Sequence, residues 1–187
     1  MKTALLLIDV QKGFQEEHWG QRNNPQAEEK MLLLLDHFRL IQEEVIHICH
    51  RSHSPQGSFY QEADRQFMDG FEPLSGEAVF EKTVNSAFIG TQLEDYLRSS
   101  KISQLVIAGL TLPHCVSTTT RMAANLGFEV ILLSDATASF ALPDLSGQLI
   151  EPELLHQIHL ATLQDEFAEI QSTEDYLMTS RNTSSRI

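Results

Sequence analysis

Residues 104–121 read Gln104-Leu105-Val106-Ile107-Ala108-Gly109-Leu110-Thr111-Leu112-Pro113-His114-Cys115-Val116-Ser117-Thr118-Thr119-Thr120-Arg121. An apolar run without polar alternation is the mark of a strand buried on both faces, as in a parallel sheet. The run ends at Gly109 and a tight turn follows. A helix is expected from about Pro113 to Leu126, with Pro113 in its first turn and Gly127 as a left-handed cap. Cys115 then lies where the helix opens. Unpaired amides and the positive end of the helix dipole are expected to favour its thiolate there.

The same grammar recurs on both sides of this stretch. Residues 3–9 and 45–49 read as buried strands, 78–82 as a short one, and 130–133 and 167–170 as two more. Between them lie helical patterns: one from Pro25 with Met31, Leu34, Leu35, Phe38 and Ile41 at helical spacing, one over Thr91–Ser99 capped by Thr91, and one over Glu151–Gln164 with Pro152 in its first turn. Ser172 is expected to cap a short last helix. Alternating strands and helices imply an α/β fold, a doubly wound, mostly parallel six-stranded sheet with helices on both faces. Residues 1–178 are expected to form one domain, and 179–187, rich in Ser, Thr and Asn, a flexible C-terminal tail. The segment from His50 to Ser75, rich in Ser, Gly, Pro and Gln, reads as a long functional loop.

The chain has 187 residues, 42% hydrophobic and 21% charged, with a formal net charge of −13. That acidity offers no basic stripe for a phosphate backbone, so nucleic acid is not an expected partner. No window approaches a membrane span and no signal-peptide pattern opens the chain, so a cytoplasmic protein without a membrane partner is expected. The two cysteines, Cys49 and Cys115, are expected to remain reduced.

In a doubly wound sheet, ligands gather outside the carboxyl ends of the strands. Asp9 closes the first strand, Lys82 the third, and Cys115 follows the fourth by one turn. A carboxylate, an ammonium and a thiol converging on one edge suit nucleophilic catalysis. The carboxylate can take the thiol proton while the ammonium stabilises the negative charge that results.

Three stretches in this order, Leu-Leu-Ile-Asp-Val-Gln-Lys-Gly-Phe at 6–14, Glu-Lys-Thr-Val-Asn-Ser-Ala-Phe at 81–88 and Gly-Leu-Thr-Leu-Pro-His-Cys-Val at 109–116, resemble the isochorismatase-like cysteine hydrolases. Nicotinamidases and N-carbamoylsarcosine amidohydrolase belong to that family, and the resemblance runs from about residue 3 to 177. It implies that Asp9, Lys82 and Cys115 form a catalytic triad that opens an amide-type bond of a small molecule through a thioester. It also implies an oxyanion hole from the backbone N–H groups of Thr111 and Cys115, and a cis peptide at Leu110–Thr111. Assembly into a homodimer or homotetramer is implied in the same way.

The chain departs from its relatives in two places. Nicotinamidases hold a divalent metal with an Asp-x-His arrangement after the second strand. Here the stretch is Cys49-His50-Arg51-Ser52-His53, with Arg51 in the carboxylate's place, so no metal and no cofactor are expected. His50 and His53 are read as residues of a polar loop, and whether either touches substrate is left open. Leu112 and Pro113 stand where many relatives carry a polar pair, which makes the pocket floor more apolar. Phe14, Trp19, Tyr60 and His114 are the candidate pocket residues, Trp19 above all. Two further readings stay open: hydrolysis of an ether bond of the isochorismate type, and a non-catalytic binding protein on the same fold.

Overall fold

A computed structural model describes residues 2–184, with side chains through residue 180. The first strand, β1 (Lys2–Ile8), carries five consecutive buried apolar residues from Ala4 to Ile8. A strand so uniformly apolar has both faces covered, and β1 indeed lies inside the sheet, pairing with β2 (Glu44–His50) and β4 (Ile102–Leu110). β3 (Ala78–Lys82), β5 (Glu129–Ala138) and β8 (Glu169–Gln171) complete a sheet of order β3-β2-β1-β4-β5-β8, every pairing parallel. This is the six-stranded doubly wound fold that the sequence predicts. The strand order reverses between β1 and β4, which opens a crevice at their carboxyl ends.

The two faces carry separate cores. One holds Leu5, Leu7, Val45 and Val106 of the sheet against α1 (Ala27–Leu40) and α6 (Thr173–Ser184). The other holds Leu6, Ile8, Ile46 and Ile107 against α3 (Leu93–Ser99), α4 (Ser117–Asn125) and α5 (Pro152–Leu163). Alternate residues of one strand thus serve opposite cores, as the two-residue period of a strand requires. In α1 the buried residues are Met31, Leu34, Leu35 and Phe38 of the helical stripe read from sequence, joined by Ala27, while Ile41 lies just past the helix end. α4 ends at Gly127 (φ +89°), where the amides of Gly127 and Phe128 return to Ala124 O and Ala123 O. α3 starts at Leu93 with Gln92 at its N-cap, so Thr91 stands one residue outside the expected cap position, although its hydroxyl accepts the Leu93 amide (3.3 Å).

Four local readings change. The helix expected from Pro113 begins as a π-helical turn over Leu112–Val116, and α4 starts only at Ser117. The strand expected over residues 130–133 runs on to Ala138, because β5 detours between Leu132 and Thr137 and then rejoins β4. The Asn24 amide supports the detour by donating to Ser134 O and Thr137 O. A short helix, α2 (Glu62–Arg65), and a two-stranded hairpin, β6 (Leu142–Pro143) with β7 (Leu149–Ile150), had no sequence signal. The stretch read as a tail from residue 179 continues α6 to Ser184, with Ser180 Oγ 3.0 Å from His37 Nε2 of α1. Residues 185–187 of that expected tail lie outside the described residues. No helix among the described residues is long and apolar enough to cross a membrane.

Candidate active site

Asp9 follows β1 directly, with φ +54°, and its amide donates to Ile48 O of β2 (2.9 Å). That left-handed step, uncommon for a residue with a side chain, turns the chain out of the sheet at the crevice. Lys82 is the last residue of β3 and pairs in register with His50, the last of β2. Cys115 lies in the π turn after β4. The amides on either side of it, His114 and Val116, both donate to Thr111 O (3.1 and 3.2 Å). The peptide Leu110–Thr111, which enters this turn, is cis, as the resemblance implies.

These elements bring the three side chains together. Lys82 Nζ donates to Asp9 Oδ2 (2.7 Å) and lies 3.2 Å from Cys115 Sγ. All three residues are buried. Asp9 Oδ1 has no hydrogen-bond partner among the described residues although it is buried. A buried acceptor left unpaired costs free energy, and this one belongs to a carboxylate whose other oxygen is already bonded to a cation.

The thiol does not behave as its place in the sequence suggested. Burial, and then the negative charge of Asp9, push the Cys115 thiol up to about 12, while Lys82 pulls in the opposite direction. The expectation of a thiolate favoured by a helix terminus is therefore corrected. Desolvation and the carboxylate oppose the thiolate, and the ammonium favours it. Cys49, also free, is raised to about 11, chiefly by burial and then by Glu81.

His50 joins the cluster, a contact with Lys82 that the sequence did not reveal. Its Nδ1 lies 3.0 Å from Lys82 Nζ. His53 is exposed on the loop. Gln11 grips the His50 backbone, accepting its N–H (2.7 Å) and donating to its carbonyl (3.1 Å) and to Arg65 O (3.0 Å). Asn85 Oδ1 stands 3.9 Å from Cys115 Sγ. Gln11 and Asn85 both fall inside the quoted motifs, two and three residues beyond Asp9 and Lys82, and that closeness was the available signal.

Asp9, His50 and Cys115 could supply ligands to a metal, since one donor atom from each lies within 4.8 Å of the others. Lys82 Nζ stands among them and is in hydrogen-bond reach of all three. A divalent ion at that point would meet the ammonium, so the donor set as folded fits its own lysine rather than a metal.

The expected pocket residues divide. Phe14 is buried in an aromatic group, its ring centroid 4.9 Å from both Trp19 and Phe59, and Phe140 stacks on Trp19 at 5.2 Å. Phe59 in turn lies 5.6 Å from the His50 ring, which links the group to the triad. Trp19 is half-buried and spends its indole N–H on Gly13 O (2.8 Å). Phe14 and Phe140 also line an open groove of about 560 Å³ together with Glu16, Gly20 and Arg22. Tyr60 is exposed, and His114 is half-buried with its imidazole held below the usual value by burial. His114 directly precedes Cys115 in the chain, but among the described residues no hydrogen bond, ion pair or ring contact joins the side chain of either to the triad.

A buried carboxylate, ammonium and thiol thus meet at the switch point of an α/β sheet, and comparison with known proteins gives the class to which the chain belongs. Residues 3–175 match the isochorismatase domain model. The isochorismatase family protein YrdC of Bacillus subtilis (strain 168) is 45% identical over 177 residues, 94% of this chain and 95% of that one. A crystal structure described as an isochorismatase-family hydrolase, from Chromobacterium violaceum ATCC 12472, superposes with a TM-score of 0.93 at 38% identity, covering 97% of this chain and 94% of the other. The N-carbamoylsarcosine amidase of an Arthrobacter species is 38% identical over 78 residues, 42% of this chain and 28% of its own. The chain belongs to the isochorismatase family and is a hydrolase.

Proposed function

We propose that the protein hydrolyses a carbon–nitrogen bond of amide type in a small molecule, with Cys115 as nucleophile, Asp9 as proton acceptor and donor, and Lys82 as the charge that holds both. The observation that carries this reading is the Lys82 ammonium, within hydrogen-bond reach of both Asp9 Oδ2 and Cys115 Sγ. Asp9 Oδ1 takes the thiol proton as sulfur attacks the carbonyl carbon. Burial and the Asp9 charge both disfavour a free thiolate, so in this reading proton transfer and attack belong to one event. The N–H groups of Thr111 and Cys115 receive the charge that develops on oxygen. Asp9 returns its proton to the departing nitrogen, the C–N bond breaks, and a thioester remains. Water, deprotonated by Asp9, then adds to the thioester and releases the acid and the thiol.

The partial likeness to an N-carbamoylsarcosine amidase favours C–N over ether cleavage, as does the presence of a sulfur nucleophile, which an ether hydrolase of the isochorismate type does not use. The aromatic group of Phe14, Trp19 and Phe140 supplies the apolar wall of the substrate pocket in this reading, and Tyr60 and His114 remain part of the same proposal. A cytoplasmic location and assembly into two or four copies are part of the same proposal, the latter checked by light scattering.

The test is ammonia release from a panel of primary amides and N-carbamoyl compounds. Wild type should turn over at least one of them and accumulate an acyl adduct on Cys115 by intact mass, and Cys115→Ala should do neither. Ammonia release that survives Cys115→Ala would refute the thioester.

A further inference from the structure

We propose that His50 is a positioning residue: its Nδ1 accepts the third hydrogen bond of the Lys82 ammonium and thereby fixes that ammonium between the Asp9 carboxylate and the Cys115 sulfur. The proposal rests on the cysteine-hydrolase reading above. An ammonium has three N–H donors and accepts nothing. Lys82 Nζ has three partners, Asp9 Oδ2 at 2.7 Å, His50 Nδ1 at 3.0 Å and Cys115 Sγ at 3.2 Å. Three donors and three acceptors leave the head group one orientation. Two acceptors would leave an N–H unspent in a buried site and the head free to rotate on a flexible four-carbon stem.

His50 is built for this task. Its Nδ1 can accept only when it carries no proton, so the ring proton resides on Nε2. Both of its backbone polar groups are held by the fully buried Gln11 side chain, and its ring packs 5.6 Å from that of Phe59. A solvated loop histidine needs neither restraint.

Three groups face the imidazole: Lys82 from β3, Asp9 from the end of β1, and the Cys115 thiol from the turn after β4. Arg51, next in the chain, points its guanidinium at Glu81 (3.3 Å) instead. Burial, and then the Lys82 charge, hold the imidazole below its usual value, and Asp9 opposes them. Protonation would place a donor against the ammonium and break the arrangement.

The experiment needs no substrate. Iodoacetamide alkylation of Cys115 in the full chain is followed by peptide mass spectrometry from about pH 5 to about pH 9, a range that spans imidazole titration. Wild type is compared with His50→Asn, which keeps an acceptor near the Nδ1 position, and His50→Leu, which fills the space without one. Lys82 favours the thiolate, so loosening it slows alkylation. His50→Leu should react roughly tenfold more slowly at alkaline pH, the scale of one hydrogen bond to a charged group, and His50→Asn should recover most of the rate. At acid pH the log rate of wild type should fall more steeply than one decade per pH unit, because His50 and the thiol both take up protons. That of His50→Asn should keep a slope of one.

A His50→Leu protein that alkylates like wild type, or a His50→Asn protein that keeps the steep acid limb, would overturn the proposal. If His50→Leu fails to fold, the acid slope of His50→Asn decides alone. Since alkylation requires no turnover, failure to find an amide substrate would leave this result standing.

Discussion

At the scale of single residues, Asp9 has two opposed effects on Cys115. In the proposed reaction it is the base that attack requires, yet its charge raises the thiol's proton affinity, second only to burial. The two effects separate on substitution. Asp9→Asn should lower the thiol's proton affinity and speed iodoacetamide alkylation of Cys115, while turnover falls by at least about a hundredfold, the scale of a lost general base. Lys82→Met should slow both. Faster alkylation without loss of turnover in Asp9→Asn would show that another group is the base. The sequence revealed these three residues because each ends or follows a strand, and strand ends of a parallel sheet share one edge. It did not reveal His50, Gln11 or Asn85 as partners. Their roles depend on which side chains meet across β2, β3 and the turn after β4, and no local pattern encodes that meeting.

At the scale of elements, the turn that carries Cys115 depends on how closely β4 approaches β1. Gly109 lies opposite Ile8 with φ +134°, and a Cβ there would stand 2.1 Å from Ile8 O, backbone against backbone. Gly109→Ala should therefore cost about 3 kcal/mol or more, read as a lower urea midpoint or loss of soluble protein. A second element-level device lies at the opposite end of the sheet. Glu77, before β3, receives hydrogen bonds from Arg39 of α1 (2.7 Å), His47 of β2 (2.9 Å) and the Leu74 amide (2.8 Å). Burial opposes its charge, but these donors hold its carboxyl down at about 2. Burial likewise holds the His47 imidazole below its usual value.

Both groups are lowered on folding, so both make the protein less stable as pH falls. His47 acts below the ordinary imidazole value, and Glu77 acts between the ordinary carboxylate value and about 2. Glu77→Gln should cost about 1–3 kcal/mol at neutral pH, and its urea midpoint should vary less with pH than that of wild type below about pH 4.5. Equal acid sensitivity in the two proteins would remove Glu77 from that account. Strands and helices of this size were legible from apolar period and caps. The β5 detour and the β6–β7 hairpin were not, because an irregular pairing and two-residue strands leave no periodicity to read.

At the scale of the whole molecule, the sheet divides the interior into two cores that share strands but no helix. Leu34→Ala on the α1 face and Leu97→Ala on the α3 face should each cost about 2–5 kcal/mol, both side chains being fully buried. Their effects should add within about 0.5 kcal/mol. A clear departure from additivity in urea titrations would mean that strain passes through the sheet. The same architecture has a consequence for endurance. Asp9 and Cys115 are delivered by β1 and β4, each flanked by strands on both sides, but Lys82 ends β3, which hydrogen-bonds to β2 alone. A strand with a single neighbour opens at lower free energy than the strands it borders. On warming, the outermost strand should loosen first and carry the ammonium away from a carboxylate and sulfur still in place. Heat should then silence the enzyme several degrees before the fold melts, and cooling from that interval should restore it in full.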